Sequence, residues 1–215
     1  MKPASEGASI VLLGRFNPAI LHPAWFASKG LIRDEESETA TDVIVTSDVA
    51  QFRAGEWLHL QATAQRFIAQ TKDPSQLSAL RDLVVGLFSV LEHTPFERMG
   101  LNHLAHYRLP SEEAWHAFGD RLAPKGPWSG LFEGRVGLRS LTIEARRANC
   151  TAKYIRIKVE PSAEATPHGV FLEVNEHYER ESPDASSQLL RALKDGWEAA
   201  TDFASMASRR LLGQD

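Results

Sequence analysis

Hydrophobic and polar residues alternate with two different periods along this chain, and the periods predict where strands and helices lie. Between residues 154 and 160, Ile155, Ile157 and Val159 alternate with polar side chains, which is the period of two expected of a strand with one buried face. Residues 170–177 alternate in the same way. A helical period instead marks residues 77–91, where the apolar positions are Leu77, Leu80, Val84, Leu87, Phe88 and Leu91.

The predicted elements follow the same order twice. The first half predicts a strand at 9–16, a short helix from Pro23, an irregular acidic segment at 33–42, three strands between 43 and 71, and a long helix entered through Asp73-Pro74. The second half predicts a strand at 98–108, a short helix at 109–123, three strands near 136–146, 153–160 and 169–179, and a long helix opened by Ser182-Pro183-Asp184. We therefore predict two copies of a βαβββα element, residues 1–94 and 95–215, which form one globular unit.

The apolar positions of each long helix form a stripe along one side of it, and these stripes predict how the two copies join. Each copy has one long amphipathic helix and half a sheet to cover, so one shared sheet buries the most apolar surface. The predicted fold class is α+β, with a curved antiparallel sheet and both long helices packed on one face. The other face would be concave and mixed in polarity.

Composition narrows the classes of protein that fit this pattern. The 215 residues are 43% hydrophobic, which is enough for a continuous core, and no apolar run is long enough to span a bilayer. The first ten residues lack the apolar stretch of an export signal. The single cysteine, Cys150, cannot form an internal disulfide, and we place it in a turn. These features predict a cytoplasmic protein without a membrane partner.

Two resemblances add to this prediction. The duplicated topology resembles the TATA-box-binding-protein-like class of folds, in which the concave face binds a ligand. The stretches Arg98-Met99-Gly100-Leu101-Asn102-His103 and Val174-Asn175-Glu176-His177 resemble a sporadically distributed bacterial family of uncharacterised proteins. This second resemblance covers about the second half, and it implies a bacterial protein with no known activity. A place in a defence or toxin-related locus is a further hypothesis.

Histidines and carboxylates of the second half are the first candidates for a site. Glu173, Asn175 and His177 share one strand face at offsets of two, so a carboxylate and an imidazole could meet one ligand. His103 and His106, three residues apart, fall on opposite faces and cannot share a metal on a regular strand. A solvated or charge-paired face is the alternative interpretation of all these positions.

Charge is unevenly distributed. The net charge is −4, so no global positive field attracts nucleic acid. Residues 135–158 nevertheless hold seven basic residues and one acid, among them Arg139, Arg156 and Lys158, which could contact phosphates. Residues 159–185 hold seven acids and one Arg. Pairing between oppositely charged neighbouring strands is the simpler interpretation.

Trp128 stands in a segment rich in Pro and Gly, where it belongs to no helix stripe and could anchor a protein partner or fold back onto the core. The chain contains no Walker loop, GxGxxG, HExxH or GxSxG motif, and we predict no cofactor and no resident metal.

Three hypotheses remain. The first is a non-catalytic module that binds a protein partner or a second copy of itself through the concave face and the Trp128 loop. The second is a nucleic-acid or anionic-ligand binder using Arg139, Arg156 and Lys158. The third is a metal-dependent hydrolase at Glu173, Asn175 and His177, with His103 opposite them.

Overall fold

The computed structural model describes residues 1–146 and 151–213, and this part of the chain contains nine strands and five α-helices. The strands are Ser5–Gly14 (β1), Thr41–Val45 (β2), Val49–Ala54 (β3), Leu58–Thr63 (β4), Arg66–Thr71 (β5), Phe96–Arg108 (β6), Leu141–Ala145 (β7), Tyr154–Pro161 (β8) and Gly169–Glu179 (β9). The helices are Pro23–Ser28 (α1), Asp34–Glu38 (α2), Leu77–Val90 (α3), Glu112–Leu122 (α4) and Ala185–Leu211 (α5). The turn predicted at Cys150 and the basic residue Arg147 lie outside the described residues.

All nine strands form one sheet in the order β2-β3-β4-β5-β1-β6-β9-β8-β7, and every neighbouring pair is antiparallel. The prediction of a mixed α and β fold with one large antiparallel sheet is therefore confirmed. Strands β1 and β6 pair at the centre, with Ile10 opposite Leu101. Strands β2 and β7 form the two outer edges.

The prediction of three strands between residues 43 and 71 is wrong, because this segment forms four. Val43 and Val49 do not belong to a single strand with one apolar face, since a turn separates β2 from β3. The Thr46 hydroxyl oxygen accepts hydrogen bonds from the backbone N–H groups of Asp48 and Val49, at 3.2 and 3.1 Å. A side-chain oxygen that binds nearby backbone in this way favours a turn over a strand.

The prediction of an irregular acidic segment at 33–42 is also wrong, because it contains α2. Glu36 is 7% exposed, and its carboxylate accepts hydrogen bonds from the backbone and guanidinium of Arg33 and from the indole N–H of Trp57, at 2.9, 2.9 and 3.0 Å. Burial raises the pKa of Glu36, but the hydrogen bonds from Arg33 and Trp57 outweigh it and hold that pKa below its ordinary value. The acidic segment thus supplies a buried anchor.

One face of the sheet carries the core. Alternate strand residues such as Ile10, Phe52 and Leu101 are fully buried there. Helices α3 and α5 cover them, and their buried side chains in the same cluster are Leu80, Leu83, Val84, Leu87, Phe88, Leu189, Leu193, Trp197 and Ala200. The opposite face of the sheet, called the open face below, carries the remaining alternate positions of the strands, many of which are polar.

The loop between β8 and β9 is held by hydrogen bonds to both halves of the chain. The Ser162 hydroxyl lies 2.7 Å from His106 Nδ1, and its oxygen accepts backbone N–H groups from Glu164 and Ala165 at 3.1 and 3.0 Å. Because that oxygen already accepts twice, the hydroxyl donates its proton to His106. The Glu164 carboxylate then accepts from Lys72 at 3.2 Å, which ties the loop to the end of β5.

Candidate ligand-binding groove

A groove of about 710 Å³ crosses the middle of the open face. Its floor consists of side chains that stand directly opposite each other on neighbouring strands. They form three central rows, and Lys158, Glu173 and Leu104 form a fourth row beyond them. Consecutive residues on one strand face are two positions apart, so neighbouring rows are about 7 Å apart. Strands of both halves of the chain contribute to each of the three central rows.

The first row, called the amide row, consists of Arg156, Asn175, Asn102, Ser9 and Gln70. Its central members are hydrogen bonded to one another: Asn175 Nδ2 donates to Asn102 Oδ1 at 2.5 Å, and Asn102 Nδ2 donates to Ser9 Oγ at 3.0 Å. An amide nitrogen carries two protons, so this arrangement leaves one N–H of Asn175 for a ligand. The row therefore presents oriented donors and acceptors without a net charge at its centre.

The second row, called the stacked row, consists of Tyr154, His177, Gly100, Val11 and Ile68. The rings of Tyr154 and His177 are stacked, with centroids 4.6 Å apart and an angle of 10° between their planes. The Arg156 guanidinium also lies over the Tyr154 ring, 4.5 Å from its centroid. Burial lowers the pKa of His177, and the nearby cations Arg156, Lys153 and Arg98 lower it further against the opposing effect of Glu179.

The third row, called the arginine row, consists of Glu179, Arg98, Leu13 and Arg66. Glu179 pairs with Arg98 at 3.1 Å and also with Lys153. Hydrogen bonds from Lys153 and Arg98 hold the pKa of Glu179 below its ordinary value, although partial desolvation opposes them. Within the described part of the chain, Arg66 has no ion pair, so this row ends in an exposed cation that is free to meet an anion.

Five of the eight predicted site residues meet in this groove. Glu173, Asn175 and His177 share the open face, as their spacing predicts, and Arg156 and Lys158 lie beside them on β8. Burial raises the pKa of Glu173, and the neighbouring Lys158 only partly offsets this effect. The carboxyl group of Glu173 therefore has a smaller tendency to carry charge than an exposed glutamate.

His103 is the first of the three predicted residues that the groove does not include. It lies on the helix face of β6, where its Nε2 is 3.0 Å from Thr201 Oγ1 and its ring centroid is 5.2 Å from that of Trp197. The hypothesis that places His103 opposite Glu173, Asn175 and His177 in one site is therefore wrong, because the sheet separates them. The prediction that His103 and His106 occupy opposite faces is confirmed, since His106 belongs to the open face.

Arg139 and Trp128 also lie outside the groove. Arg139 is exposed just before β7 and lies near Glu160, and it is not among the residues that line the groove. Trp128 ends a short 3-10 turn, Gly126–Trp128, and is 48% exposed, so it does not fold back onto the core. Leu131 and Phe132 follow it and are 65% and 63% exposed.

The predicted charge pairing is present only in part. Lys153 pairs with Glu179 of the acidic segment, but Arg156 pairs with Glu144 at 2.8 Å, which belongs to the basic segment itself. Lys158 pairs with Glu160 of its own strand at 2.9 Å. Among the described residues, the acidic strand β9 therefore neutralises the basic segment only in part.

The sequence pattern alone does not identify several groove residues, and all but one of them lie in strands β1, β5 and β6. They are Ser9, Arg66, Gln70, Arg98, Gly100, Asn102 and Tyr154. Strand β6 does carry a sequence pattern that groups some of them, because Arg98, Gly100 and Asn102 alternate with Met99 and Leu101. Alternation assigns them to one face, but it does not reveal which other strand lies beside that face.

The comparisons with known proteins add no assignment, because the chain matches no protein-family model and no curated protein. In the residues that the structure describes, no three His, Cys, Asp or Glu side chains are grouped closely enough to hold a metal ion. The same residues include no helix that combines the length and apolar character needed to cross a membrane.

Proposed function

We propose that this protein is a non-catalytic binding module that holds an anionic ligand in the groove of its open face. The observation that carries the proposal is the charge of the groove lining. Among the described residues that line the groove, four are cationic, Arg66, Arg98, Arg156 and Lys158, and one, Glu173, is a carboxylate. Glu179, at the end of the arginine row, adds a second carboxylate, so an excess of positive charge remains. This local excess of positive charge contrasts with the net charge of −4 for the whole chain.

The ion pairs at the rim do not remove this excess. Exposed pairs such as Arg156 with Glu144 are worth only about 0–1 kcal/mol, so a bound anion can compete with the rim carboxylates. Arg98 shares Glu179 with Lys153, which leaves more positive than negative charge at that end. The raised pKa of Glu173 reduces the repulsion that an incoming anion meets.

The polar centre of the groove supports binding rather than catalysis. Asn102, Asn175 and Ser9 hydrogen bond to one another, and Ser9 is only 8% exposed. Amides and a hydroxyl of this kind are not ionised near neutral pH, and they orient a ligand through hydrogen bonds. They therefore serve as a preorganised hydrogen-bonding surface.

Retention on immobilised heparin, a polyanion, tests the proposal. We expect the wild-type protein to be retained at low salt and to elute as salt rises, because bound cations are released when phosphate or sulfate groups are neutralised. Arg66→Gln should elute at lower salt, whereas Arg108→Gln, an equal charge change at an exposed position outside the groove, should elute like the wild type. Passage of the wild type through the column, or equal elution of the two variants, would contradict the proposal.

We also propose that the two halves are copies of one βαβββα element. The support is the order of strands: β1 and β6, the first strand of each half, pair at the centre, and each is flanked on its other side by the last strand of its own half, β5 or β9. On this proposal β3, β4 and β5 correspond to β7, β8 and β9, and β2 is an additional edge strand. The groove then lies across the junction of the two copies.

A second candidate function is protein binding through the loop that follows α4. Trp128, Leu131 and Phe132 expose large apolar surfaces within five residues, and aromatic residues of this kind anchor protein interfaces. The simplest partner is a second copy of the chain. Sedimentation equilibrium should then show a dimer that Phe132→Asp converts to monomer, and a wild-type protein that stays monomeric at high concentration would count against this candidate.

A further inference from the structure

The stacked row has one position without a side chain, and this position adjoins an aromatic ring. Gly100 stands between His177 on β9 and Val11 on β1. Tyr154 and His177 show that rings on neighbouring strands stack here, at a centroid distance of 4.6 Å. A planar ring above Gly100 would lie one further strand spacing, about 4.8 Å, from His177 and would continue the same stack.

Amide side chains and an aliphatic side chain border this position. A Cβ at residue 100 would lie 3.2 Å from Asn175 Nδ2 and 4.0 Å from Val11 Cβ. The amide of Asn175 thus borders the position on the side of the amide row, and Val11 closes it on the side away from His177. A flat ligand would have an aromatic ring on one face and an aliphatic side chain on the other.

The neighbouring rows place complementary chemistry on the two edges of the same position. Toward the amide row, Asn175 and Asn102 offer donors and acceptors to the polar edge of a heterocycle. Toward the arginine row, which lies about 7 Å further along the strands, Arg98 and Arg66 stand on either side of Leu13 and offer cations. A ring with a hydrogen-bonding edge and an anionic group on its opposite side would hydrogen bond to the amide row and pair with the arginine row.

From this arrangement we infer that the groove binds a nucleotide, with its base stacked on His177 above Gly100, its base edge against Asn175 and Asn102, and its phosphate toward Arg98 and Arg66. The inference rests on the proposed anion-binding function and deepens it. The nucleotide is either free or one unit of a single-stranded nucleic acid, since both present the same base and phosphate.

Isothermal titration of the full chain with four probes tests the ring and the phosphate separately. We expect 5′-AMP to bind at least tenfold more tightly than adenosine, which lacks the phosphate, and than ribose 5-phosphate, which lacks the base. Pyrophosphate should also bind, more weakly than 5′-AMP. If ribose 5-phosphate binds as tightly as 5′-AMP, the ring site is refuted while the anion-binding function stands. If none of the four probes binds, the proposed function fails as well.

Two variants separate the contributions of the rows. Gly100→Val fills the position above β6 and should weaken 5′-AMP at least tenfold while leaving pyrophosphate unchanged. The matched control is Gly134→Val, where an added Cβ meets open space. Arg66→Gln should weaken 5′-AMP several-fold and leave adenosine unchanged. Unchanged 5′-AMP affinity in Gly100→Val would overturn the inference.

His177→Ala serves if the Gly100 variant does not fold, because it removes the ring on which the base stacks. It should reduce 5′-AMP affinity without affecting pyrophosphate, and an unchanged ratio of the two affinities would again refute the stack. A hexamer of deoxyadenosine nucleotides distinguishes the sources. Binding of the hexamer tenfold tighter than 5′-AMP supports the site with a nucleic acid strand as ligand, and equal binding supports it with a free nucleotide.

Discussion

His103 shows how a single polar residue is accommodated in the apolar core. Thr201 donates its hydroxyl proton to the carbonyl of Trp197 at 3.0 Å, so its oxygen accepts from His103 Nε2. Nδ1 of His103 is buried and has no hydrogen-bond partner within the described residues. Burial therefore lowers the pKa of His103 to about 4, and the ring is neutral near neutral pH.

This histidine should make the fold sensitive to mild acid. The unfolded chain takes up a proton below pH 6.5, whereas the folded chain does so only near pH 4, so the free energy of unfolding falls as pH decreases between these values. The depressed pKa corresponds to about 3 kcal/mol over the whole window. His103→Gln should lose less stability than the wild type between pH 7 and pH 4.5, as measured by urea denaturation.

His93→Gln is the matched control for this prediction, because the His93 side chain is 95% exposed. The comparison with the wild type also cancels the contributions of His59, His106 and His177, whose pKa values burial lowers in the same direction. Parallel stability curves for wild type and His103→Gln would show that His103 is not the sensitive group.

The individual elements differ in how far sequence can predict them. Strands β8 and β9 and helix α3 follow from the sequence pattern, because alternation and helical spacing are local signals that burial of one face imposes. Helix α2 does not, since its five residues are all polar and its single buried side chain, Glu36, is held by Trp57, which lies 21 residues further along the chain. Such an interaction leaves no periodic trace in the sequence.

Glu36 should accordingly contribute to stability beyond what its short helix implies. Glu36→Ala leaves the indole N–H of Trp57 and the backbone N–H of Arg33 without their acceptor, which costs about 1–3 kcal/mol. Thermal or chemical denaturation measures the loss. The exposed Glu38 of the same helix is the control, because Glu38→Ala should change stability by no more than about 0.5 kcal/mol. Equal effects of the two substitutions would contradict the role of Glu36.

The candidate site depends on the whole sheet, which explains why sequence identifies only part of it. Spacing within β9 groups Glu173, Asn175 and His177. Their neighbours Asn102 and Ser9 come from strands that are distant in sequence, with Asn102 73 residues before Asn175, and only the register of β6 and β1 brings them together. All the candidates that the sequence offers lie in the second half, whereas the groove also includes Ser9, Arg66 and Gln70 of the first.

The core is likewise shared between the halves. Ile10 and Phe88 of the first half belong to one buried cluster with Leu193 and Trp197 of the second. Residues 1–94 and 95–215 expressed separately should therefore remain unfolded, because each would expose apolar surface that the other covers. The measurement is the cooperativity of urea unfolding for each fragment.

Co-expression of both fragments is the control, since the same contacts are then available between two chains. We expect a stable complex with a single cooperative transition. Cooperative unfolding of either fragment alone would show that the two halves are independent domains, and the proposal of a shared sheet would need revision.

The central position of β1 also has a consequence for how the protein is made. This strand is synthesised first, yet its two neighbours arrive much later: Ala8 pairs with Thr71 on one side and with His103 on the other. Strand β6 in turn has no partner on its other side until β9 is made, and β9 follows all the other strands in the chain. Contacts between residues so far apart in sequence slow folding. The sheet can be completed only when nearly the whole chain has left the ribosome. Strand β1 keeps one unpaired edge until β6 has been made, and β6 keeps one until β9 has been made.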